Sequence, residues 1–543
     1  MDDCNARRYP ACVPSAHITH PLDVDLYCLG GFDGREATVQ MGRRFSCLHC
    51  HLYIVLDSSA MNVAISTVIV DLNTDLSTIQ ALIAIYALTM ASLMLTGSKL
   101  QDVLGRKKTF FVGVIIYGIG TTTATLSVNV FMLLIGWSLL EGIGAALMFP
   151  ATTTMVSAAY EGKDRLTAFG IWGGIAAMGA AIGPLYGGAL TSFASWRFIF
   201  AGELLGVIAV IVMRSYLRES KPSLTWRDID LGGVVLSVVA LVCLVFGILL
   251  LGSPQYWQFV PLFIVTGLIV FAAFLLWQRR RINHHVEPLL DISVLKNRLY
   301  VLGNAASAIQ QAALAGVLFT LPIFILQVLR ESAFMTGVAL LPMSIAIFVL
   351  SLIGGRLSSI LHTKAVALLG FLISAAGTFL LRDVFSQSTQ IVDIIPGTVI
   401  FGIGVGLLLS QLTNLTMSAV RKDQETDASG FLNTAKNLGY SVGTALIGAI
   451  LLVGIFNGLV SGISNSTLVN ETTTQEQIQQ NLYAYAQNMQ TSAPPTIPQS
   501  FIPEAQRIVD STISSGMHLT FVSLTLIMLL GFVIALFLPR SAK

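Results

Sequence analysis

Fourteen apolar runs of spanning length dominate this chain, near 46–70, 78–97, 109–128, 130–151, 165–191, 197–216, 230–251, 257–278, 300–327, 334–354, 364–382, 390–417, 427–459 and 515–538. A helix needs ~20 largely apolar residues to cross a bilayer. Hydrocarbon offers the backbone no outside hydrogen-bond partner, so runs of this length must close their bonds internally as helices. The sequence therefore predicts an all-α integral membrane protein. The first run is the most diluted, by Ser46, Cys47, His49, Cys50, His51, Asp57, Ser58, Ser59 and Asn62. With 54% hydrophobic and only 11% charged residues over 543 positions, a soluble multidomain enzyme carrying one anchor is excluded.

The charges total +2, from 31 Lys and Arg against 29 Asp and Glu, so no basic excess points to nucleic acid. Their placement is more informative. Cytoplasmic loops of membrane proteins concentrate Lys and Arg. Of the 31 cations, 26 fall in the N-terminal segment, the C-terminal tail and the even-numbered loops between runs. The odd-numbered loops hold Arg197, Arg330, Arg382 and Arg507, and Lys436 lies within a helix. This segregation predicts an even number of spans with both termini cytoplasmic. Residues 1–44 read as a poorly ordered segment in which Met41, followed by Gly42-Arg43-Arg44, is a candidate start. Residues 460–514 are polar, with Asn-Ser-Thr at 465–467, Asn-Glu-Thr at 470–472 and Pro494-Pro495, and read as an extracytoplasmic loop.

Two segments carry motif character. Ser98-Lys99-Leu100-Gln101-Asp102-Val103-Leu104-Gly105-Arg106-Lys107-Lys108 reads as the loop between helices 2 and 3. Gly105 permits a tight turn, Asp102 can meet a cation or a helix N-terminus, and Arg106 holds the cytoplasmic face. A plain positive-inside turn and a gate fit it equally. In helix 5, Gly179, Gly183, Pro184, Gly187 and Gly188 follow Gly170, Gly173 and Gly174. Small residues allow close helix approach, and proline removes a backbone donor and bends the helix.

Together with Leu56-Asp57-Ser58-Ser59-Ala60-Met61-Asn62-Val63-Ala64 in helix 1, these segments resemble the signature motifs of the major facilitator superfamily, specifically its fourteen-helix drug:proton antiporter branch. Ser195-Trp196-Arg197-Phe198-Ile199-Phe200, Glu287-Pro288-Leu289-Leu290-Asp291 and Gly316-Val317-Leu318-Phe319-Thr320-Leu321-Pro322 are similar to further segments of that family. The resemblance implies a six-helix bundle over 45–216, two linker helices over 217–285 and a second six-helix bundle over 286–540. Gly355-Arg356-Leu357-Ser358-Ser359 looks like a degraded copy of the 98–102 segment. Departures matter too. Ser98 and Ser66 stand where the family pattern has Gly and Pro, and Trp137-Ser138-Leu139-Leu140-Glu141-Gly142 has Ser138 in place of a buried Arg. The proton-transfer role of that Arg is not carried over.

Ionisable groups inside hydrocarbon are costly and are functional candidates by default. Asp57 and Glu141 fall near mid-depth at ~1.5 Å of rise per residue. Each either cycles between charged and neutral forms as a proton or cation site, or stays neutral and hydrogen-bonded. The resemblance supports the first reading for Asp57, and Asn62 of the same motif joins the candidates. Glu203, nearer the outer end of helix 6, pairs with Arg197 or faces the cavity. Lys436 is a counter-charge or snorkels to the interface. Gln310, Gln311, Gln411, Asn414, Asn433 and Asn437 are cavity hydrogen-bonders or interhelical glue.

Cys47-Leu48-His49-Cys50-His51 matches a haem-attachment pattern, but the charge pattern puts it at the cytoplasmic end of helix 1, where such attachment does not occur. A haem or metal sensor is the remote alternative. No nucleophile and base pair, phosphate loop or ATP-binding motif is present. With that absence, the family resemblance implies a non-enzymatic, monomeric plasma-membrane transporter that needs no cofactor. It would export amphipathic or cationic small molecules by alternating access against inward protons. Export of one endogenous metabolite or lipid is the alternative.

Overall fold

The computed structural model describes residues 55–466 and 502–539, apart from positions 58, 62, 66, 75, 160, 161, 217, 218, 220, 221, 223, 251–253, 422 and 423. Asn62 and the 47–51 cysteine and histidine cluster lie outside the described residues, as does all of 1–44. Every regular element among the described residues is helical. Helix α1 occupies the described part of 55–71. It is followed by α2 (Leu76–Leu104), α3 (Arg106–Thr125) and α4, which passes through Val130–Leu133, a π-helical stretch Leu134–Glu141 and Gly142–Ala159. Then come α5 (Gly162–Phe193), α6 (Arg197–Val212), α7 (Leu231–Leu249), α8 (Val260–Asn283), α9 (Arg298–Ile323), α10 (Ala333–Ile360), α11 (Thr363–Leu381), α12 (Ile391–Ser418), α13 (Glu425–Ser464) and α14 (Ile502–Leu536). Ten helices among the described residues are long and apolar enough to cross a bilayer.

Two expected loops are shorter than the hydropathy pattern suggests. The 98–108 segment is helical except at Gly105, the single residue between α2 and α3. Its φ of 92° lies in the left-handed region that favours glycine. The 460–514 stretch is also partly helix, because α13 continues to Ser464 and α14 begins at Ile502. Hydropathy detects only the length that lipid covers, whereas these polar turns are held by helix-on-helix packing. Gly454, Gly458 and Gly462 of α13 lie against α14, and Arg507 donates to the carbonyls of Gly462 and Asn465 at 3.1 Å each.

One core cluster is built chiefly from α1–α6 and includes Met61, Tyr86, Tyr117, Trp137 and Phe200. A second is built from α9–α14 around Leu314, Phe371, Phe401 and Phe521. Helices α7 and α8 pack on each other, and α7 also touches α2 and α13. Their outer faces expose Val235, Val239, Phe246, Leu262, Leu268, Ile269 and Leu276, an apolar surface suited to lipid.

Lipid tails are as apolar as leucine, so helices gain nothing hydrophobic by meeting each other; close backbone packing must hold them. Glycines supply it in matched places. Gly113 and Gly120 of α3 face Gly144 and Gly136 of α4, while Gly370 and Gly377 of α11 face Gly404 and Gly397 of α12. Likewise Gly183 and Gly187 of α5 lie against Ser59 and Ala60 of α1, and Gly439 and Gly443 of α13 lie against Ala308 and Ala312 of α9. The same contacts recur eight helices later. One register differs, since the α12 pair is seven residues apart and the α4 pair eight. The extra residue is absorbed in the π-helical stretch that ends at Glu141.

A Cβ at Gly187 would stand 2.5 Å from the Ala60 carbonyl oxygen, so Gly187→Leu must force α5 away from α1. Overpacking of this kind costs about 1–3 kcal/mol. Thermal unfolding in detergent should show a lowered midpoint; an unchanged one would mean that the two helices part freely here.

Candidate functional site

Three helices bring three carboxyl groups together. Asp57 of α1, Glu141 at the end of the π-helical stretch and Glu203 of α6 are fully buried, and their oxygens lie within 4.8 Å of one another. The helix 3 residue Tyr117 donates to Glu203 Oε2 at 2.8 Å, and Trp137 Nε1 donates to Asp57 Oδ2 at 3.0 Å. Asp57 Oδ1, Glu203 Oε1 and both Glu141 oxygens have no hydrogen-bond partner among the described residues. Three carboxylates this close cannot all be anionic unless a cation sits among them. The donor set, all carboxylate oxygen, suits a proton or a hard cation.

Glu203 does not pair with Arg197. That arginine binds Asp71 Oδ2 and the Ser127 carbonyl, while Trp196 donates to the same Asp71 oxygen at 3.0 Å and lies under the guanidinium. Arg197 thereby ties the first turn of α6 to the ends of α1 and α3 and leaves Glu203 to the triad.

Beside the triad, between the two cores, lies a cavity lined by Ile83, Tyr86, Ala87 and Met90 of α2, Trp137 of α4, Ala315 and Phe319 of α9, and Asn437, Tyr440 and Thr444 of α13. Its wall toward the acids is the stacked pair Tyr86 and Trp137, with ring centroids 5.7 Å apart. Among the candidate polar residues, Asn437 lines this cavity. Lys436 is buried, donates to Thr413 Oγ1 at 2.6 Å and lies 5.1 Å from the Trp172 ring, so it neither meets a carboxylate of the triad nor snorkels. Asn433 bridges α13 to Thr153 of α4, Gln310 bonds its neighbour Gln311, and Gln411 and Asn414 are buried in α12.

The Lys- and Arg-rich end of the molecule is closed between the two cores. Lys99 Nζ of α2 is 3.6 Å from both Asp427 Oδ1 of α13 and Glu287 Oε2, and 3.9 Å from Asp102. Asp427 Oδ2 also accepts the Asp291 backbone N–H at 3.0 Å. Gly430 lies directly on Ser98, a contact that a glycine in place of Ser98 would weaken. The cavity begins about 18 Å along α13 from this end, at ~1.5 Å per residue. On α5 the small residues divide by partner. Gly179 accepts from Ser59 Oγ at 3.1 Å, Gly183 and Gly187 continue that face against α1, and Gly188 and Pro184 lie against Ala333 and Gly337 of α10. Arg106 opens α3 at the basic end.

Sequence reading missed Trp137, Tyr86, Tyr117, Lys99 and Asp427 as site residues. Trp137 had a signal, since it precedes the intramembrane Glu141 by four residues and so shares its helix face. The pairing of Lys99 with Glu287 and Asp427 had none, because these lie almost 190 and more than 320 positions away.

Both Glu141 oxygens are buried without a hydrogen-bond partner among the described residues, and each such group carries a cost of about 1–3 kcal/mol. Glu141→Met, of similar volume, should therefore raise the thermal unfolding midpoint in detergent. A lowered midpoint would show that the carboxyl stabilises the fold.

Residues 48–444 match the sequence model described as the Major Facilitator Superfamily. A multidrug resistance protein of Mycobacterium tuberculosis, Stp, is 28% identical over 403 residues, 73% of each chain. The puromycin resistance protein of Streptomyces alboniger is 27% identical over 74% of this chain and 80% of its own. A methylenomycin A resistance protein of Bacillus subtilis is 28% identical over 74% and 85%. Among solved structures, the proton:xylose symporter XylE superposes with a TM-score of 0.58 over 93% of this chain and 97% of its own, and the human organic anion transporter MFSD10 with 0.55 over 91% and 99%. At 12% identity each, these two likenesses speak to the fold.

Proposed function

Because the chain belongs to the major facilitator superfamily, a family of transporters and not enzymes, we propose that it is a proton-coupled exporter of amphipathic or cationic drug-like molecules. It is a multi-pass protein of the plasma membrane. The single observation that carries the coupling is the buried Asp57, Glu141 and Glu203 triad, beside a cavity between two helical cores. The resistance proteins among its relatives support drug efflux as the direction of transport. Fourteen spans with cytoplasmic termini fit the charge segregation, so the basic end faces the cytoplasm. Two six-helix bundles with α7 and α8 inserted between them then rock about the midplane site. The working unit is a monomer, its energy source the proton gradient, and no other cofactor is required.

In this reading the structure has its cytoplasmic side shut. Lys99, Asp427 and Glu287 form the latch, with Asp102, Gly105 and Arg106 at the adjoining turn. Gly179, Gly183 and Gly187 keep α5 with its own bundle, while Gly188 and Pro184 sit on the seam to α10. Export requires the latch to open and the seam to shift. A buried proton on the triad lowers the repulsion among its carboxylates, so its charge state differs between the two ends of the cycle.

Two measurements test this reading. In proteoliposomes with the outer face acid, wild-type protein should drive dye efflux and Asp57→Asn should fall to background while folding normally; undiminished pH-driven efflux by that variant rejects the assignment. Lys99→Ala leaves Asp427 buried without its cation, at a cost on the order of 2 kcal/mol once solvent around Glu287 is allowed for. Spin labels at Lys108 and Ser418, both exposed, should then report a longer inter-bundle distance component; identical distributions would exclude Lys99 as a latch.

A further inference from the structure

The triad and the cavity are neighbours that do not touch. All three acids are fully buried, and none lines the cavity. The wall between them is the Tyr86 and Trp137 stack, and Trp137 belongs to both sides. Its ring lines the cavity, while its Nε1–H donates to Asp57 Oδ2. We propose that Trp137 is the positioning residue through which the proton site and the substrate cavity sense each other, and that the carboxyl groups take protons without contacting substrate. This rests on the transport reading above and makes the link between proton and substrate an indirect one.

The link is physical. A hydrogen bond to an ionised carboxylate is roughly twice as strong as one to a neutral acceptor. With Asp57 ionised, the indole is held by its N–H and the stack is fixed. Asp57 Oδ1 has no partner among the described residues, so a proton arriving there displaces nothing. It weakens the hold on Oδ2 and frees the indole to shift against Tyr86. That motion changes the cavity wall. The π-helical stretch makes it easier, because Trp137 and Glu141 both lie in it, where the regular backbone ladder is already interrupted. Conversely, a molecule packed on the Trp137 face holds the indole in one pose and biases the proton state of Asp57, as linkage requires.

The cavity itself selects flat, aromatic, amphipathic molecules. Tyr86, Trp137, Phe319 and Tyr440 present rings, Met90 a polarizable thioether, and Asn437 a hydrogen-bonding amide. Among the described residues no charged side chain lines it. Binding should therefore depend on ring faces more than on a formal positive charge, and a cationic planar dye and a neutral one should both be accepted.

The test uses full-length protein in proteoliposomes, with ethidium as the cationic probe and Nile red as the neutral one. Trp137→Phe keeps a ring but deletes the N–H. It should bind both dyes within about threefold of wild type, a difference under ~1 kcal/mol, yet export them with little dependence on the proton gradient and fewer protons moved per dye. Phe319→Ala, across the cavity, should weaken dye binding while leaving protons per dye unchanged. Asp57→Asn should abolish coupled export and hold both dye affinities at the wild-type value for acid pH, with no further change as pH rises. A Trp137→Phe protein that couples as wild type overturns the proposal, and so does loss of ethidium binding in Asp57→Asn while Nile red still binds, since that would put the carboxylate on the cationic substrate. Failure of wild type to bind either dye removes the substrate class. The underlying transport reading fails separately, through coupled export surviving Asp57→Asn. Circular dichroism and thermal unfolding confirm folding, and should Trp137→Phe not fold, selective 15N labelling of wild-type tryptophan reads the same bond. The Trp137 indole resonance should shift with pH in wild type and stay fixed in Asp57→Asn; pH independence in both overturns the link.

Discussion

Backbone contact between helices at glycine is the constraint on which the arrangement rests, because in lipid the hydrophobic effect gives two apolar helices no reason to meet. Where Gly113 meets Gly144, and Gly120 meets Gly136, α3 and α4 come into backbone contact, and the same geometry recurs between α11 and α12. Dispersion and backbone packing at these points set the depth at which polar side chains are held. Asp57, Glu141 and Glu203 meet because Gly120 and Gly136 clamp α3 to α4, Gly118 of α3 lies against Val207 of α6, and Trp137 of α4 reaches Asp57 of α1. A looser scaffold would let water reach the acids, and their interaction would fall with the rising dielectric.

The two halves are similar in scaffold and different in chemistry. Gly439 and Gly443 repeat on α13 what Gly183 and Gly187 do on α5, yet the second half has no counterpart of the acid triad among its described residues. The divergence is local. One additional residue between the clamping glycines of α4 is taken up as a π-helical stretch, and that stretch carries both Trp137 and Glu141. π-Helical insertions weaken the backbone ladder and persist where something compensates. Here the compensation is burial of Trp137 against Tyr86, Phe200 and Asp57. The seams between halves are equally paired, since α5 on α10 and α13 on α2 exchange when each helix is advanced or set back by eight. One seam is joined mainly by apolar contacts, and the other holds the Lys99 and Asp427 pair.

Much of the fold was legible in the sequence. Most helix centres, the turn at Gly105 and the packing role of the α5 glycines follow from hydropathy, φ preference and residue size, all local properties. Helix ends were less so, because the last turns of α13 and the first of α14 are polar and persist through contacts such as Arg507 to Gly462. Of the site, Asp57, Glu141 and Glu203 were readable as acids in hydrocarbon. Their convergence was not, nor was the partner of Glu203, since Arg197 lies nearby in sequence yet is claimed by Asp71.

By itself, then, the sequence determined that this is an all-helical membrane protein and which few residues pay a solvation cost in lipid, because both depend only on what each stretch of chain loses on leaving water. The tertiary structure alone decided that three acids from α1, α4 and α6 form one site, that Trp137 stands between it and the cavity, and that Lys99 closes the basic end on Asp427. These are distances between side chains far apart along the chain, and only the packing of helices through their glycines sets them.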